Sequence, residues 1–395
     1  MTGSGRLPML PALNEAEAAH SAAAREHIVR RIRASGDCID FETFMELALY
    51  APGLGYYSAG SAKIGAAGDF TTAPEVSELF GRCVARQCAQ ILLHTPGGSI
   101  LEVGAGTGSL VATVLRELAA RDALPRHYDI LEVSADLAER QRQRLRSLPD
   151  PLRSRIRWLQ QLPSSPLQGV VLANEVLDAL PCQRFVMREA AVEALGVTAA
   201  ADGTLGWARL PANASLTAAV QELNRTLPAP FVPGYTSEVC TRVDPWVASL
   251  AACLERGVLL LFDYGLPRPH YYQPDRDAGT LTCHFKHRAH FDPFVNVGVQ
   301  DITAWVDFTR VALAGHACGL EVLGLCTQAA FLLGSGIEEF LGQGRDGLEQ
   351  VRLAGEARRL LLPGEMGEAF KLLALGRGIE AALDCFKFQD LRDSL

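Results

Sequence analysis

No apolar run in the 395-residue sequence is long enough to cross a bilayer. The longest, such as Val258 to Phe262, fall far short of the ~20 residues a spanning helix needs. The N-terminus lacks a continuous apolar core, so no secretory leader is expected. Its arginines (Arg6, Arg25, Arg30, Arg31, Arg33) alternate with Glu15, Glu17 and Glu26, which disfavours an organelle transit peptide. The ten cysteines contain no C-x-x-C pair. Cys83 and Cys88 are the nearest, and their spacing suits neither a redox pair nor a zinc knuckle, so reduced cytosolic thiols are expected. Positive charge is not in excess either: a net charge of -8 argues against a general nucleic-acid surface. Repeats and low-complexity tracts are lacking beyond an Ala-rich N-terminal helix. What remains is ordinary globular composition, 48% hydrophobic and 21% charged, long enough for two to three domains or one decorated α/β domain.

The rest of the chain is organised around Ser99 to Gly108, Ser-Ile-Leu-Glu-Val-Gly-Ala-Gly-Thr-Gly. Ile100 to Val103 reads as a buried strand. Gly104, Gly106 and Gly108 follow at alternate positions, and Ser109 to Ala120 has helical spacing. Such a turn lets a ligand approach backbone N–H groups and a helix N-terminus without meeting a Cβ. Dinucleotide folds use G-x-G-x-x-G; here Glu-x-Gly-x-Gly-x-Gly stands between strand and helix, as in motif I of the S-adenosylmethionine (SAM) methyltransferases. The competing reading is a tight strand–helix turn with no ligand.

Residues 1 to about 13 look disordered. Asn14 caps an expected helix to Ala34, and Asp40 caps a second. Ala51 to Pro74, rich in glycine and aromatics, reads as a long functional loop. Pro74 opens an expected helix, Glu75 to Leu93. A βαβ rhythm follows, with expected strands at Tyr128 to Ser134, Ile156 to Leu162, Gly169 to Glu175, Gly257 to Asp263, Leu320 to Cys326 and Phe370 to Leu375, the last antiparallel. Residues 182 to 234 read as a small insert, pairing Phe185 to Ala194 with Leu205 to Leu210 through Asp202-Gly203 and adding a helix, Ala214 to Thr226. Thr236 to Arg256 reads as a helix stopped by Gly257, and Asp301-Ile302-Thr303 as the start of a helix to Gly315. The expected domains are an N-terminal helical and loop region covering the active site (1–98), a core (99–181 and 235–378), the 182–234 insert and a helical insert (336–366).

In a doubly wound sheet the ligand lies beyond the carboxyl ends of the strands. Four such ends carry polar groups: Glu102 and Gly104, Glu132, Asn174-Glu175, and Asp263-Tyr264. Gly104, Gly106 and Gly108 are expected to face the cofactor with Glu102, Glu132 to take the ribose, and Asn174 and Glu175 to lie where the methyl group meets its acceptor. Asp178 follows by about one turn; for both acids the alternative is charge placed at a helix N-terminus. Methyl transfer is an in-line displacement, which mainly needs a positioned nucleophile and removal of a proton. A carboxylate pair suits a guanidinium acceptor, and Glu175 with Asp69 or Glu75 is the expected pair. His284, His287 and His290 lack the tighter spacing of metal ligands, and no metal is expected.

Further segments join these: Tyr56-Tyr57; Gly68-Asp69-Phe70-Thr71-Thr72-Ala73-Pro74-Glu75; Ala173-Asn174-Glu175-Val176-Leu177-Asp178-Ala179-Leu180-Pro181; Phe262-Asp263-Tyr264-Gly265; Gly279-Thr280-Leu281; His287-Arg288-Ala289-His290; and Asn296 to Phe308. Together they resemble the MidA family of SAM-dependent methyltransferases over roughly residues 25 to 378. That family includes the mitochondrial assembly factor that dimethylates an arginine of a respiratory complex I subunit. The resemblance implies a class I SAM-methyltransferase fold, a Rossmann-like α/β seven-stranded sheet with an N-terminal helical region and inserts. It implies S-adenosyl-L-methionine as cofactor, a protein substrate with an exposed arginine, and no metal. Tyr57, Phe70, Asp263, Tyr264, His287 and His290 are the expected substrate contacts. No nucleic acid or membrane span is expected, the apolar helices are compatible with a homodimer, and the compartment is the cytoplasm, or the mitochondrial matrix in a eukaryote. The alternatives are a methyltransferase for a small molecule or another protein side chain, a SAM-sensing assembly chaperone without turnover and, more distantly, a nicotinamide oxidoreductase.

Overall fold

The computed structural model describes residues 10–58, 71–189, 191–344 and 346–395. The chain divides into two compact units. One gathers Thr71–Leu177, Val243–Pro267 and Val306–Leu395; the other gathers Met1–Phe70, Asp178–Arg242 and Arg268–Trp305. Residues 71–98 thus cluster with the parallel sheet, and 268–305 with the N-terminal segment.

The first unit is built on seven main strands: β1 Ser99–Val103, β2 Tyr128–Leu131, β3 Ile156–Leu159, β4 Leu167–Asn174, β5 Leu254–Leu266, β6 Glu321–Thr327 and β7 Phe370–Arg377. Their order is β6-β7-β5-β4-β1-β2-β3, and the short strand Val306–Asp307 pairs with the end of β5. β7 runs antiparallel to both β5 and β6, while β1 to β5 are mutually parallel. The chain reverses its direction of travel between β1 and β4, which opens a crevice at that switch point.

Alternate strand residues feed opposite faces. Val170, Leu172, Val258, Leu260 and Phe262 join a core with the helices Glu78–Leu93 and Ser109–Ala120 and with the C-terminal helices. Val171, Ala173, Leu259 and Leu261 are equally buried and point the other way. Leu375 faces that second side, where a Cβ on Gly315 of the helix Phe308–Ala317 would come within 2.6 Å of it. A sheet covered on both faces explains why these strands read as unbroken apolar runs. Each fully buried Leu or Val contributes roughly 1.5–3 kcal/mol.

The second unit holds a five-stranded antiparallel sheet. Val192–Ala199 pairs along its length with Leu205–Pro211, and its other neighbours are Gln183–Met187 and Cys38–Asp40. Thr236–Val239 closes the far side against Gln183–Met187. The 182–234 segment is therefore not self-contained, since it borrows a strand from the N-terminal region. The helix Glu15–Ala34 carries a capping box, in which Asn14 and Glu17 exchange hydrogen bonds of 2.9 and 2.8 Å. It packs with the helix Phe41–Tyr50, the inner strands and Ile302 around a separate core.

Several boundaries differ from the sequence reading. The expected helix from Glu75 breaks at Ser77, which turns extended and caps Glu78–Leu93 with its own hydroxyl. Thr236–Val239 is a strand, and the helix is only Val243–Cys253. Gly257 lies inside β5 and terminates nothing; a Cβ there would sit 1.9 Å from the Gly169 carbonyl of β4. Asp301–Thr303 is a strand, and Asp307 caps the helix that follows. The insert has three strands where two were expected, and Asp202-Gly203 joins the second to the third.

Candidate functional site

The polar strand ends of the first unit form two hydrogen-bonded groups, one around Glu132 and one from Asn174 to Asp263, and the glycine loop touches both. Gly104, Gly106 and Gly108 all have left-handed φ values of 68°, 52° and 82°, which lets the loop fold back at the tip of β1. A Cβ on Gly104 would lie 3.1 Å from Val176 Cγ2, so the glycine loop touches the turn that follows β4. Glu132, just past β2, accepts from the Ser134 backbone N–H and from the side-chain amide of Gln141, both at 2.9 Å. Burial pushes the Glu132 pKa up, and these two hydrogen bonds oppose the shift. Val133 beside it is apolar and 81% exposed.

At the tip of β4, Glu175 adopts φ 54°, a left-handed conformation that costs a side-chain-bearing residue energy. Its N–H donates to the Phe262 carbonyl (2.9 Å), and the Asn174 amide donates to its Oε1 (3.2 Å). The turn is fixed from β5. Asp263 Oδ2 accepts from the N–H groups of Val176 (3.1 Å) and Leu177 (2.9 Å), and Oδ1 accepts from Tyr264 N–H (2.9 Å). Asp263 is 0% exposed. Expected against substrate, it is instead buried and bound to backbone, because three N–H groups of two neighbouring strand ends converge on it.

Glu102 is buried in β1 and accepts from the Tyr128 hydroxyl (2.6 Å); burial pushes its pKa up to about 7. Glu75 accepts from the Thr107 hydroxyl and from Arg144 (3.0 Å), so its carboxylate is engaged at the glycine loop. It faces a cleft of about 610 Å³, lined also by Ser109, Arg144, Phe340 and Arg352 and by none of Gly104, Glu132 or Glu175. Tyr264 packs edge-on against Phe370, with ring centroids 5.4 Å apart.

The second unit holds Tyr57, Asp178, His287 and His290. Tyr57 donates to Asp301 (3.0 Å) and stacks on Tyr50. Asp178 is buried, and its carbonyl accepts from Ala304 N–H (3.0 Å). The histidines lie on a hairpin, Thr282–Phe285 with Arg288–His290, turned by Lys286 and His287. His287 is exposed at the tip, whereas His290 is fully buried and its Nδ1 accepts from Asp292 N–H (3.3 Å), which leaves no surface for substrate. Asp69 and Phe70 lie outside the described residues. Among the described residues no three His, Cys, Asp or Glu side chains converge as metal ligands, and no helix is long and apolar enough to cross a membrane.

Sequence reasoning passed over Gln141, Thr107, Arg144 and Val133. A signal for Gln141 was present: with Ala138 and Leu145 it sits on the inward stripe of the helix Ala135–Leu145, a polar residue at a core position.

A family model for S-adenosyl-L-methionine-dependent methyltransferases matches residues 83–326. The chain is 38% identical to a protein from Burkholderia thailandensis whose crystal structure holds S-adenosyl-homocysteine, with a TM-score of 0.92 over 98% of this chain and 100% of that one. It is 28% identical to the mitochondrial protein arginine methyltransferase NDUFAF7 homolog of Drosophila melanogaster, over 94% of this chain and 88% of the relative. It is 26% identical to the Homo sapiens mitochondrial protein arginine methyltransferase NDUFAF7, over 88% and 82%.

Proposed function

Because the chain belongs to the S-adenosyl-L-methionine-dependent methyltransferase family, we propose that it methylates arginine side chains of a protein, with Glu175 as the residue that meets the guanidinium. The observation carrying this is the strained Glu175, held at the tip of β4 in direct continuity with the glycine loop through Val176. A non-glycine residue kept left-handed by backbone contacts on two sides is over-determined by its surroundings, as strained functional residues are.

The corner fits the cofactor. Three left-handed glycines leave the backbone bare, Glu132 supplies an acceptor for ribose hydroxyls, and Val133 offers an exposed apolar face for a purine. Bound there, S-adenosyl-methionine supplies an electrophilic methyl group. The chain's own residues do the rest. Asn174 orients the Glu175 carboxylate, and Asp263 fixes the turn that carries it. The carboxylate binds the planar guanidinium, draws positive charge away from the attacking nitrogen and accepts the proton that nitrogen gives up on methylation. Glu75 is assigned to holding Thr107, and Asp263 to positioning; neither is assigned to substrate contact. The names of the relatives support a protein arginine as acceptor. Ten free thiols support a reducing compartment, the cytoplasm or, in a eukaryote, the mitochondrial matrix.

The test is methyl transfer from labelled S-adenosyl-methionine to lysate protein, followed by acid hydrolysis and amino-acid analysis. Methylarginine is expected, reduced at least ~100-fold by Glu175→Gln while S-adenosyl-homocysteine affinity stays within about threefold. Label recovered only in other products would refute the arginine assignment.

A further inference from the structure

We propose that Gln141 is a positioning residue for cofactor binding, its side-chain amide clamping the Gly106 carbonyl and the Glu132 carboxylate into one cradle for the ribose. The proposal rests on the assignment of that corner to the SAM nucleoside.

Gln141 is fully buried. A buried amide must find partners, and which ones it finds is informative. Its nitrogen donates to Gly106 O and to Glu132 Oε2, both at 2.9 Å. Its oxygen accepts from the Trp158 indole N–H at 3.1 Å. The indole fixes the flip of the amide, so both amide protons are delivered to the ligand corner. A Cβ on Gly108 would lie 3.6 Å from Gln141 Cγ, which places the side chain directly beneath the glycine loop. An amide that merely filled core would have no reason to join two separate ligand-facing groups.

The donor also acts on Glu132 electrostatically. Hydrogen bonds from Gln141 and Ser134 favour the ionised carboxylate against burial. The ionisable group facing it from β1 is Glu102, a like charge only where it is itself ionised, above about pH 7. β3 presents Trp158, which is not ionisable, and Arg142 on the helix of Gln141 lies over that ring at 5.1 Å. Removing the amide therefore favours the protonated acid, which accepts fewer hydrogen bonds from ribose. Binding in such a variant weakens as pH falls, beginning at a higher pH than in the parent protein.

Calorimetric titration of the full-length protein with S-adenosyl-homocysteine and with its 2′,3′-dideoxy analogue tests this. Gln141→Leu is expected to weaken S-adenosyl-homocysteine by roughly 10–100-fold and the dideoxy analogue by less than about threefold, with the loss on acidification setting in at a higher pH than in the parent protein. Trp158→Phe, which only frees the amide to flip, is expected to show the same ligand selectivity at roughly 3–10-fold, and it serves if Gln141→Leu fails to fold. Equal loss for both ligands with an unchanged pH profile, or no loss, would overturn the proposal. A parent protein that binds neither ligand would instead overturn the cofactor assignment.

Discussion

Glu132 and Glu238 are both buried acids in or just beyond short strands, one in each unit, and they are held differently. Glu238 meets a cation: Arg184 donates to Oε1 at 3.0 Å, and the Thr280 N–H and hydroxyl donate to Oε2 at 2.7 and 3.3 Å. Gly279 presses so close that a Cβ would lie 2.3 Å from the carboxylate. Glu132 is held by neutral donors alone, Ser134 N–H and the Gln141 amide, next to an exposed apolar side chain and bare glycine backbone. A carboxylate whose oxygens are taken up by its own fold, whether by a cation or by converging N–H groups, is structural; one held by few donors beside bare backbone can offer its remaining lone pairs to a ligand. Glu238→Ala should therefore cost about 3–5 kcal/mol, because the half-buried Arg184 loses its carboxylate and keeps only the Ala278 carbonyl and the Trp207 ring. Glu132→Gln should stay within about 1 kcal/mol in stability while weakening S-adenosyl-homocysteine at least tenfold. Urea denaturation and calorimetry on both variants would break the comparison if the two lost stability alike.

Asp263 sharpens it, since this buried acid of the first unit has backbone N–H groups where Glu238 has a guanidinium. Asp263→Ala leaves Val176 and Leu177 N–H groups without their acceptor. A stability loss of about 2–3 kcal/mol is expected, with a larger kinetic effect: kcat down roughly 100-fold, since the displaced turn carries Glu175. A kcat that tracked only the folded fraction would show that the turn does not need this anchor.

How far the sequence could have led differs between the units for the same reason. The parallel strands were visible because both of their faces are buried, and the glycine alternation located the corner. Thr236–Val239 escaped because four residues are too few to show alternation, and its partner Gln183–Met187 lies some fifty residues earlier. Asp263 was legible as a strand-end acid, but its direction depends on where the N–H groups of the next-door turn point, which is a tertiary fact. Gln141 is masked by Arg140, Arg142 and Arg144 around it, whose charge hides the inward stripe of that helix. His290 was expected against substrate in a His-rich stretch; only the hairpin register, which sets it opposite Cys283, shows that it faces inward.

Glu102 adds a pH dependence to the first unit. Its folded pKa, pushed up to about 7, lies above the unfolded value of 4.5. Between those values the folded state binds more protons than the unfolded state. Stability contributed by this group is thus greatest below about pH 4.5 and is lost as pH rises through about 7. Glu102→Gln should remove that slope, by about 1–3 kcal/mol between pH 5 and 8. Denaturation curves at the two pH values decide it, and an unchanged slope would show that Tyr128 keeps the carboxylate ionised.

The smallest effect is expected at the hairpin tip of the second unit, where strain can be set against the strain at Glu175. Lys286 and His287 turn the hairpin with φ 45° and 59°, positions where two-residue hairpins favour Asn and Gly. Lys286 has a use there, because its ammonium meets Glu17 at 2.7 Å. His287 is exposed and supplies only its backbone to the turn. His287→Gly should therefore raise stability by about 0.5–1 kcal/mol and leave methyl transfer unchanged. Glu175→Gly should gain a similar increment and abolish transfer. Were His287→Gly to raise KM for the protein acceptor while stabilising the fold, the tip would belong to the substrate path after all, and strain in the two units would have the same meaning.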